Sequence, residues 1–121
     1  MEKITVWGYL KEYAETKDEL LKAVTEVFES GTLILGQKGR DFEQAYSDYI
    51  GVGYGIGCDN GTNAITLALK ALEIGEGDKV IPVSNTAIPT VSAIVSAGAT
   101  PVFVDINPGT YLMDVTKVET A

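Results

Sequence analysis

The most informative part of this chain is a glycine-rich stretch, Gly51-Val-Gly-Tyr-Gly-Ile-Gly-Cys-Asp-Asn-Gly-Thr-Asn63. Tyr54, Ile56 and Cys58 alternate with glycine or a short residue, which predicts a short strand that enters the turn. The apolar run over residues 64–72 predicts a helix that leaves it. The stretch therefore indicates a strand, a tight turn and the start of a helix.

The turn carries residue types that suit an anion. Asn60 is a favourable N-cap residue, and Gly61 has no side chain to prevent another group from approaching the backbone. Thr62 adds a hydroxyl and Asn63 an amide beside the free N–H groups of the first helical turn. These residues predict a phosphate site at the positive end of a helix dipole. The alternative is that they serve only capping and turn geometry.

Composition excludes several classes of function. The chain has 121 residues, which suits one domain, and its formal net charge of −8 disfavours nucleic acid and anionic membrane surfaces as partners. It has no histidine and one cysteine, Cys58, which excludes a histidine triad, a disulfide within the chain and a cysteine-rich zinc site. No metal site is expected, and Cys58 is expected to be a buried structural thiol. No signal peptide or membrane span is predicted, so we expect a cytoplasmic location.

The first fifty residues predict an N-terminal arm and two helices. The arm covers residues 1 to about 15, where Trp7 and Tyr9 are expected to anchor it to a body or a partner subunit. Apolar residues at helical spacing predict helices over 16–30 and 40–50. Between them, Leu35 and Gly36 belong to a loop with exposed apolar residues, which we interpret as part of a subunit interface or substrate site. A short buried strand is the alternative for that loop.

Residues 51–121 predict a β-α-β-α-β segment. Further helices are expected over 61–74 and 88–97, and further strands over 79–83 and 101–104. Such crossovers build a mostly parallel sheet with helices on both faces, so the predicted class is α/β within a single partial domain over 1–121. Ligands on these sheets lie beyond the carboxyl ends of the strands. The candidates there are the turns 59–63 and 84–87, and Asp105.

Two common phosphate motifs are absent. A dinucleotide fingerprint needs a third glycine one residue earlier than Gly61 after Gly55-x-Gly57, and it needs a carboxylate at the end of the second strand. A P-loop needs a lysine and a hydroxyl residue after its glycines, and Gly61-Thr62-Asn63 lacks that pair.

Four groups of residues, in this order and spacing, resemble the N-terminal portion of the DegT/StrS family of pyridoxal-phosphate sugar aminotransferases. They are Gly36-x-x-x-x-x-Phe42-Glu43; Asp59-Asn60-Gly61-Thr62-Asn63-Ala64-Ile65; Leu72-x-x-Gly75-x-Gly77-Asp78-x-Val80-Ile81; and Thr86-Ala87-Ile88-Pro89-Thr90 with Gly98-Ala99-x-Pro101-Val102-Phe103-Val104-Asp105-Ile106. The likeness covers nearly the whole chain.

The resemblance implies a fold-type I large domain, a homodimer with active sites between its subunits, and pyridoxal 5'-phosphate (PLP) as the cofactor. It implies that Gly61, Thr62 and Asn63, together with the capping Asn60, hold the cofactor phosphate. An aromatic residue of many members stacks on the cofactor ring where this chain has Ala87, so Ile88 is the apolar contact expected instead. The family also places the segment that matches Leu35 and Gly36 near the active site at the dimer interface.

The likeness is greatest to enzymes that aminate a keto group on a nucleotide-linked deoxyhexose, at carbon 3 of a dTDP-sugar, with an amino donor as second substrate. The family's Schiff-base lysine and its pyridine-nitrogen aspartate match positions beyond residue 121, and neither Lys70 nor Lys79 takes the lysine's place. We therefore expect no catalytic residue in this chain and no activity from it alone, as for a truncated piece. The alternatives are a non-catalytic phosphate- or nucleotide-binding α/β module, and a structural domain whose turn binds nothing.

Overall fold

The computed structural model describes residues 6–121, and within them the chain divides into two compact units. The first unit ends at Gly57 and the second spans Cys58–Ala121. Each is described by itself. The predicted single partial domain over 1–121, with its division after residue 50, stays a prediction. The part of the predicted arm over residues 1–5 lies outside the described residues.

The first unit contains two helices, α1 (Tyr9–Glu29) and α2 (Gln37–Ile50). Helix α1 begins at Tyr9, earlier than the predicted start at residue 16. The Thr16 hydroxyl donates to the carbonyl of Glu12 at 2.9 Å, one turn back, so the residue is accommodated inside the helix. The helix ends at Glu29, close to the predicted residue 30, and Gly31 follows with a φ of +68°, which takes the chain out of helical geometry.

An ion pair joins the two helices of the first unit. The Lys38 ammonium lies 2.6 Å from a Glu26 carboxylate oxygen, and this contact lowers the pKa of Glu26 and raises the pKa of Lys38. Apolar packing contributes little here, because Ser47 is the only buried residue in the described part of this unit. Phe28 remains 68% exposed. Exposed apolar rows of this kind are typical of surfaces that contact other protein.

The glycine-rich segment packs against α2 and does not form the predicted strand. The Gly57 N–H donates to the Glu43 carboxylate at 2.6 Å. A Cβ built on Gly55 would lie 2.6 Å from the Glu43 carbonyl oxygen. The strand prediction over 54–58 was wrong, because a strand needs a neighbouring strand to accept its N–H groups, and this segment uses a side chain of α2 instead.

The second unit contains α3 (Gly61–Ala71), β1 (Lys79–Val80), α4 (Ile88–Ala97), β2 (Thr100–Pro101) and a final 3₁₀-helix (Val115–Thr120). The order of these helices and strands is the predicted one, and α4 has the predicted bounds. None of the helices in the described chain combines the length and apolarity needed to cross a bilayer.

The two strands of the second unit pair in parallel, with Lys79 beside Thr100, and the same register continues to a bridge between Val83 and Val104. The regular strands are short because Pro82 has no N–H to donate. Its carbonyl still accepts from the Val104 N–H at 3.1 Å, and Ser84 N–H donates to Val104 at 3.3 Å. Pro82 therefore interrupts the ladder without changing its register.

Helices α3 and α4 lie side by side and run in the same direction. Their midpoints meet where the Thr66 hydroxyl lies 3.5 Å from the Ala93 carbonyl oxygen. Their C-terminal ends also meet, because a Cβ on Gly75 would lie 3.6 Å from the carbonyl of Ala97. The N-terminal ends of both helices consequently lie at one end of the pair.

A small core holds this unit together. It consists of Leu69, Ile94, Ala97 and Ala99, with Ile65, Ile74 and Val80 packed against it. Two predictions of burial were wrong. Leu72, the C-cap residue of α3, is 70% exposed, and Cys58 is exposed, because few residues of this unit lie over them.

We predict that Gly55→Ala destabilises the full-length protein by about 1–3 kcal/mol, because the added Cβ must displace the α2 backbone at Glu43. Gly53→Ala is the matched control, since a Cβ there meets nothing within 4 Å. Urea denaturation measures both variants. Equal stabilities of the two variants would contradict the contact between this segment and α2.

Candidate functional site

The N-terminus of α3 is a capped turn with unused donors. Asn60 is extended, with φ −161° and ψ 168°, and its side-chain oxygen accepts from the Asn63 N–H at 2.9 Å. This confirms the predicted N-cap. The first backbone N–H to reach the Asn60 carbonyl is that of Ala64, at 3.0 Å. The N–H groups of Gly61 and Thr62 therefore have no acceptor within the helix.

Asp59 holds both asparagine side chains of this turn. Its carboxylate accepts from the Asn63 amide at 2.8 and 3.0 Å and from the Asn60 amide at 3.0 Å. Asp59 belongs to the candidate turn 59–63, without a predicted role of its own. Its spacing to Asn63 is no signal for this contact, because Asp59 precedes the N-cap and lies outside the helix.

These contacts separate the four predicted phosphate residues into two pairs. Asn60 and Asn63 build the turn, because each side-chain amide donates to Asp59 and the Asn63 backbone N–H donates to the Asn60 side chain. Gly61 and Thr62 offer their backbone N–H groups, and the Thr62 hydroxyl has no hydrogen-bond partner in the described part of the chain. These three donors can bind a phosphate, whose negative charge is also favoured at a helix N-terminus.

The N-terminus of α4, at the same end of the helix pair, presents an apolar surface. Ala87 caps this helix in an extended conformation without a side-chain hydrogen bond, and its carbonyl accepts from the Thr90 N–H at 3.0 Å. Ile88 follows and is 81% exposed. Ala87 and Ile88 therefore present apolar side chains at this end of the helix pair.

Asp105 follows β2 and forms an ion pair with Lys117 at 3.7 Å. Lys117 also contacts the Asp114 carboxylate at 3.6 Å. The pKa of Asp114 is held below its ordinary value, chiefly by the Thr116 hydroxyl, which donates to it at 2.6 Å, with Lys117 adding to the effect. Lys117 thus lies between the carboxylates of Asp105 and Asp114.

Leu35 and Gly36 lie in the first unit, in the turn that leads into α2. Leu35 is 88% exposed and has a φ of +53°, a conformation that is uncommon for a residue with a side chain. A Cβ on Gly36 would lie 2.9 Å from the Thr32 carbonyl oxygen, so a larger residue does not fit. The Arg40 guanidinium donates to the Leu35 carbonyl at 2.7 Å. This turn borders an open groove of about 490 Å³.

The described residues contain no cluster of cysteine and acidic side chains arranged to hold a metal ion. What they offer chemically is anion binding at α3 and an apolar surface at α4.

Three comparisons with known proteins agree with one another. A family model described as the DegT/DnrJ/EryC1/StrS aminotransferase family matches residues 14–121. The dTDP-3-amino-3,4,6-trideoxy-alpha-D-glucose transaminase of Micromonospora megalomicea subsp. nigra is 52% identical over 96% of this chain and 31% of its own length.

Solved structures give the same result. DesV of S. venezuelae, in complex with a ketimine intermediate, superposes with a TM-score of 0.93 at 32% identity, over 99% of this chain and 32% of that one. NtdA of Bacillus subtilis, with bound cofactor PMP, has a TM-score of 0.84 at 36% identity, over 88% of this chain and 25% of that one. The chain therefore spans about a third or less of the proteins it matches.

We predict that Thr116→Val raises the pKa of Asp114 toward its ordinary value, because the hydroxyl that stabilises the carboxylate is removed. The stability that the hydroxyl contributes is present above the unfolded pKa, near 4, and is lost as the pH falls through the lower folded pKa. The variant should therefore be less stable than the wild type at neutral pH, and the difference should shrink in acid. Carbon-detected NMR titration of the Asp114 carboxyl measures the shift.

Thr120→Val is the control, since the Thr120 hydroxyl donates to the Lys117 carbonyl and not to Asp114. An unchanged Asp114 pKa in Thr116→Val would show that this hydrogen bond does not form.

Proposed function

We infer the function from one premise, which is that the chain belongs to the DegT/DnrJ/EryC1/StrS aminotransferase family. This membership confirms the resemblance read from the sequence and the predicted α/β, fold-type I class. We propose that these residues form the cofactor-phosphate portion of a PLP-dependent aminotransferase that acts on a nucleotide-linked deoxyhexose. The observation that supports this proposal most is the set of free hydrogen-bond donors of Gly61 and Thr62 at the N-terminus of α3. This turn lies inside the residues that the family model matches.

The described residues fit PLP at two places. The Gly61 and Thr62 N–H groups and the Thr62 hydroxyl would hold the phosphate, and the exposed Ile88 with Ala87 would contact the ring. Asn60 and Asn63 would keep the turn in the binding geometry. When bound, PLP supplies the electron sink that amino transfer requires. This chain's part is to anchor the phosphate, which fixes the ring's position.

The proposed substrate is a dTDP-3-keto-6-deoxyhexose, aminated at carbon 3, with an amino acid as donor. It is supported by the relative that is 52% identical, whose name specifies dTDP-3-amino-3,4,6-trideoxy-alpha-D-glucose. The proposed homodimer is supported by the exposed apolar turn around Leu35 in the first unit. A cytoplasmic location stays part of this proposal.

The proposal includes a lysine that these 121 residues do not provide. Schiff-base catalysis needs an amine beside the cofactor. Lys70 lies in the last turn of α3 and Lys79 begins β1, so neither lies at the phosphate-binding end of α3. We expect residues 1–121 expressed alone to be inactive in amino transfer.

The test is amino transfer by the purified full-length protein. It would be incubated with PLP, the dTDP-3-keto-6-deoxyhexose and a panel of amino acids, and the aminated sugar would be detected by mass spectrometry. We expect amination of the dTDP-sugar in preference to the UDP-linked analogue. Binding of the nucleotide-sugar without any binding of PLP would contradict the proposal and favour a non-catalytic module.

We predict that Thr62→Val weakens the full-length protein's affinity for pyridoxamine 5'-phosphate (PMP) by about tenfold or more. The reason is that a hydrogen bond to a charged phosphate is lost. Thr66→Val is the matched control. The Thr66 hydroxyl donates to the Thr62 carbonyl inside the helix, so its loss leaves the phosphate donors intact. Isothermal titration measures both affinities. Unchanged affinity in Thr62→Val would exclude its hydroxyl from the phosphate site.

A further inference from the structure

We infer that Asp59 is a positioning residue of the phosphate turn, an inference that rests on the proposed function. Its carboxylate holds the side-chain amides of Asn60 and Asn63, so that the donors of Gly61 and Thr62 are the ones presented to the phosphate. The residue makes this contribution through two neighbours and without touching the ligand.

The geometry that carries the inference is a closed set of hydrogen bonds. Asp59 accepts from Asn63 with both oxygens, at 2.8 and 3.0 Å, and from Asn60 at 3.0 Å. Asn60 in turn accepts from the Asn63 backbone N–H at 2.9 Å. All three residues are exposed, so water competes for each of these groups. The carboxylate is the acceptor that fixes both amides at once.

The orientation of Asn63 has a direct consequence for an anion. Its amide nitrogen donates to Asp59, so the carboxylate fixes the direction in which the amide points. Without Asp59 the amide would be free to rotate, and its oxygen could then face the phosphate. The Asn60 cap would also lose the contact that holds its amide nitrogen. Both changes weaken a site that depends on a preorganised first turn.

The negative charge of Asp59 and its positioning role predict opposite changes in phosphate affinity when Asp59 is replaced, so one binding measurement distinguishes them. Asp59 places a negative charge at the end of the helix where a phosphate would bind. If it acted only through this charge, its removal would strengthen phosphate binding. A positioning role predicts that removal weakens phosphate binding.

The experiment measures PMP and pyridoxamine binding to the full-length protein in three forms: wild type, Asp59→Asn and Asp59→Ala. Asp59→Asn has nearly the same shape but one acceptor oxygen, so it can hold only part of the network. We expect PMP affinity to fall about threefold in Asp59→Asn and about tenfold in Asp59→Ala, the loss of one or two hydrogen bonds to a charged acceptor. Affinity for pyridoxamine, which has no phosphate, should stay within twofold of the wild-type value, about the error of such a titration.

Asp78→Ala is the matched control. Its carboxylate holds the Gly75 N–H at 2.8 Å, at the other end of α3, so the variant removes the same charge and a similar turn contact. We expect its PMP affinity to equal that of the wild type. In a double-mutant cycle, Asn63→Ala should add little to Asp59→Ala, since both remove the same contact.

Tighter or unchanged PMP binding in Asp59→Asn would overturn the inference, as would an equal loss of pyridoxamine affinity, which would indicate a general structural role. If Asp59→Ala does not fold, Asp59→Asn decides alone. A wild-type protein that binds no PMP would instead overturn the proposed function, so the two failures are distinguishable.

Discussion

The parallel pairing of residues 79–83 with residues 100–104 is the constraint on which the second unit depends. Parallel neighbours cannot be joined by a tight turn, so the chain must return through α4. That return places α4 beside α3 in the same direction, and it brings the N-termini of both helices to one end. The free N–H groups of α3 and the apolar Ala87 and Ile88 lie at the same end of the helix pair for this reason.

Local patterns predicted most of the second unit. The bounds of α4, the start of α3 at Gly61 and the parallel strands all follow from residues close together in sequence. Burial did not follow, because it depends on what covers a residue. Cys58 and Leu72 are apolar and exposed, and no pattern within 121 residues specifies their cover. The failed strand over 54–58 has a similar cause, since strand formation requires a neighbour with free acceptors.

The glycines and asparagines of the 51–63 stretch have distinct physical roles, which the sequence alone could not separate. Gly55 and Gly57 allow close contact with Glu43 of α2. Gly61 exposes the backbone at the helix end, and Asn60 and Asn63 complete the turn with Asp59. The Asn60 cap was predictable from residue type. The Asp59 contacts were not, because they depend on side-chain orientations that only the folded turn fixes.

The most direct measurement of the central claim is a crystal structure of the full-length protein with PMP bound. The account predicts that the phosphate lies within hydrogen-bond distance of the Gly61 and Thr62 N–H groups and the Thr62 hydroxyl, with the Asn63 amide still directed at Asp59. A phosphate held elsewhere, with these three donors facing water, would contradict the assignment of the α3 N-terminus as the cofactor site.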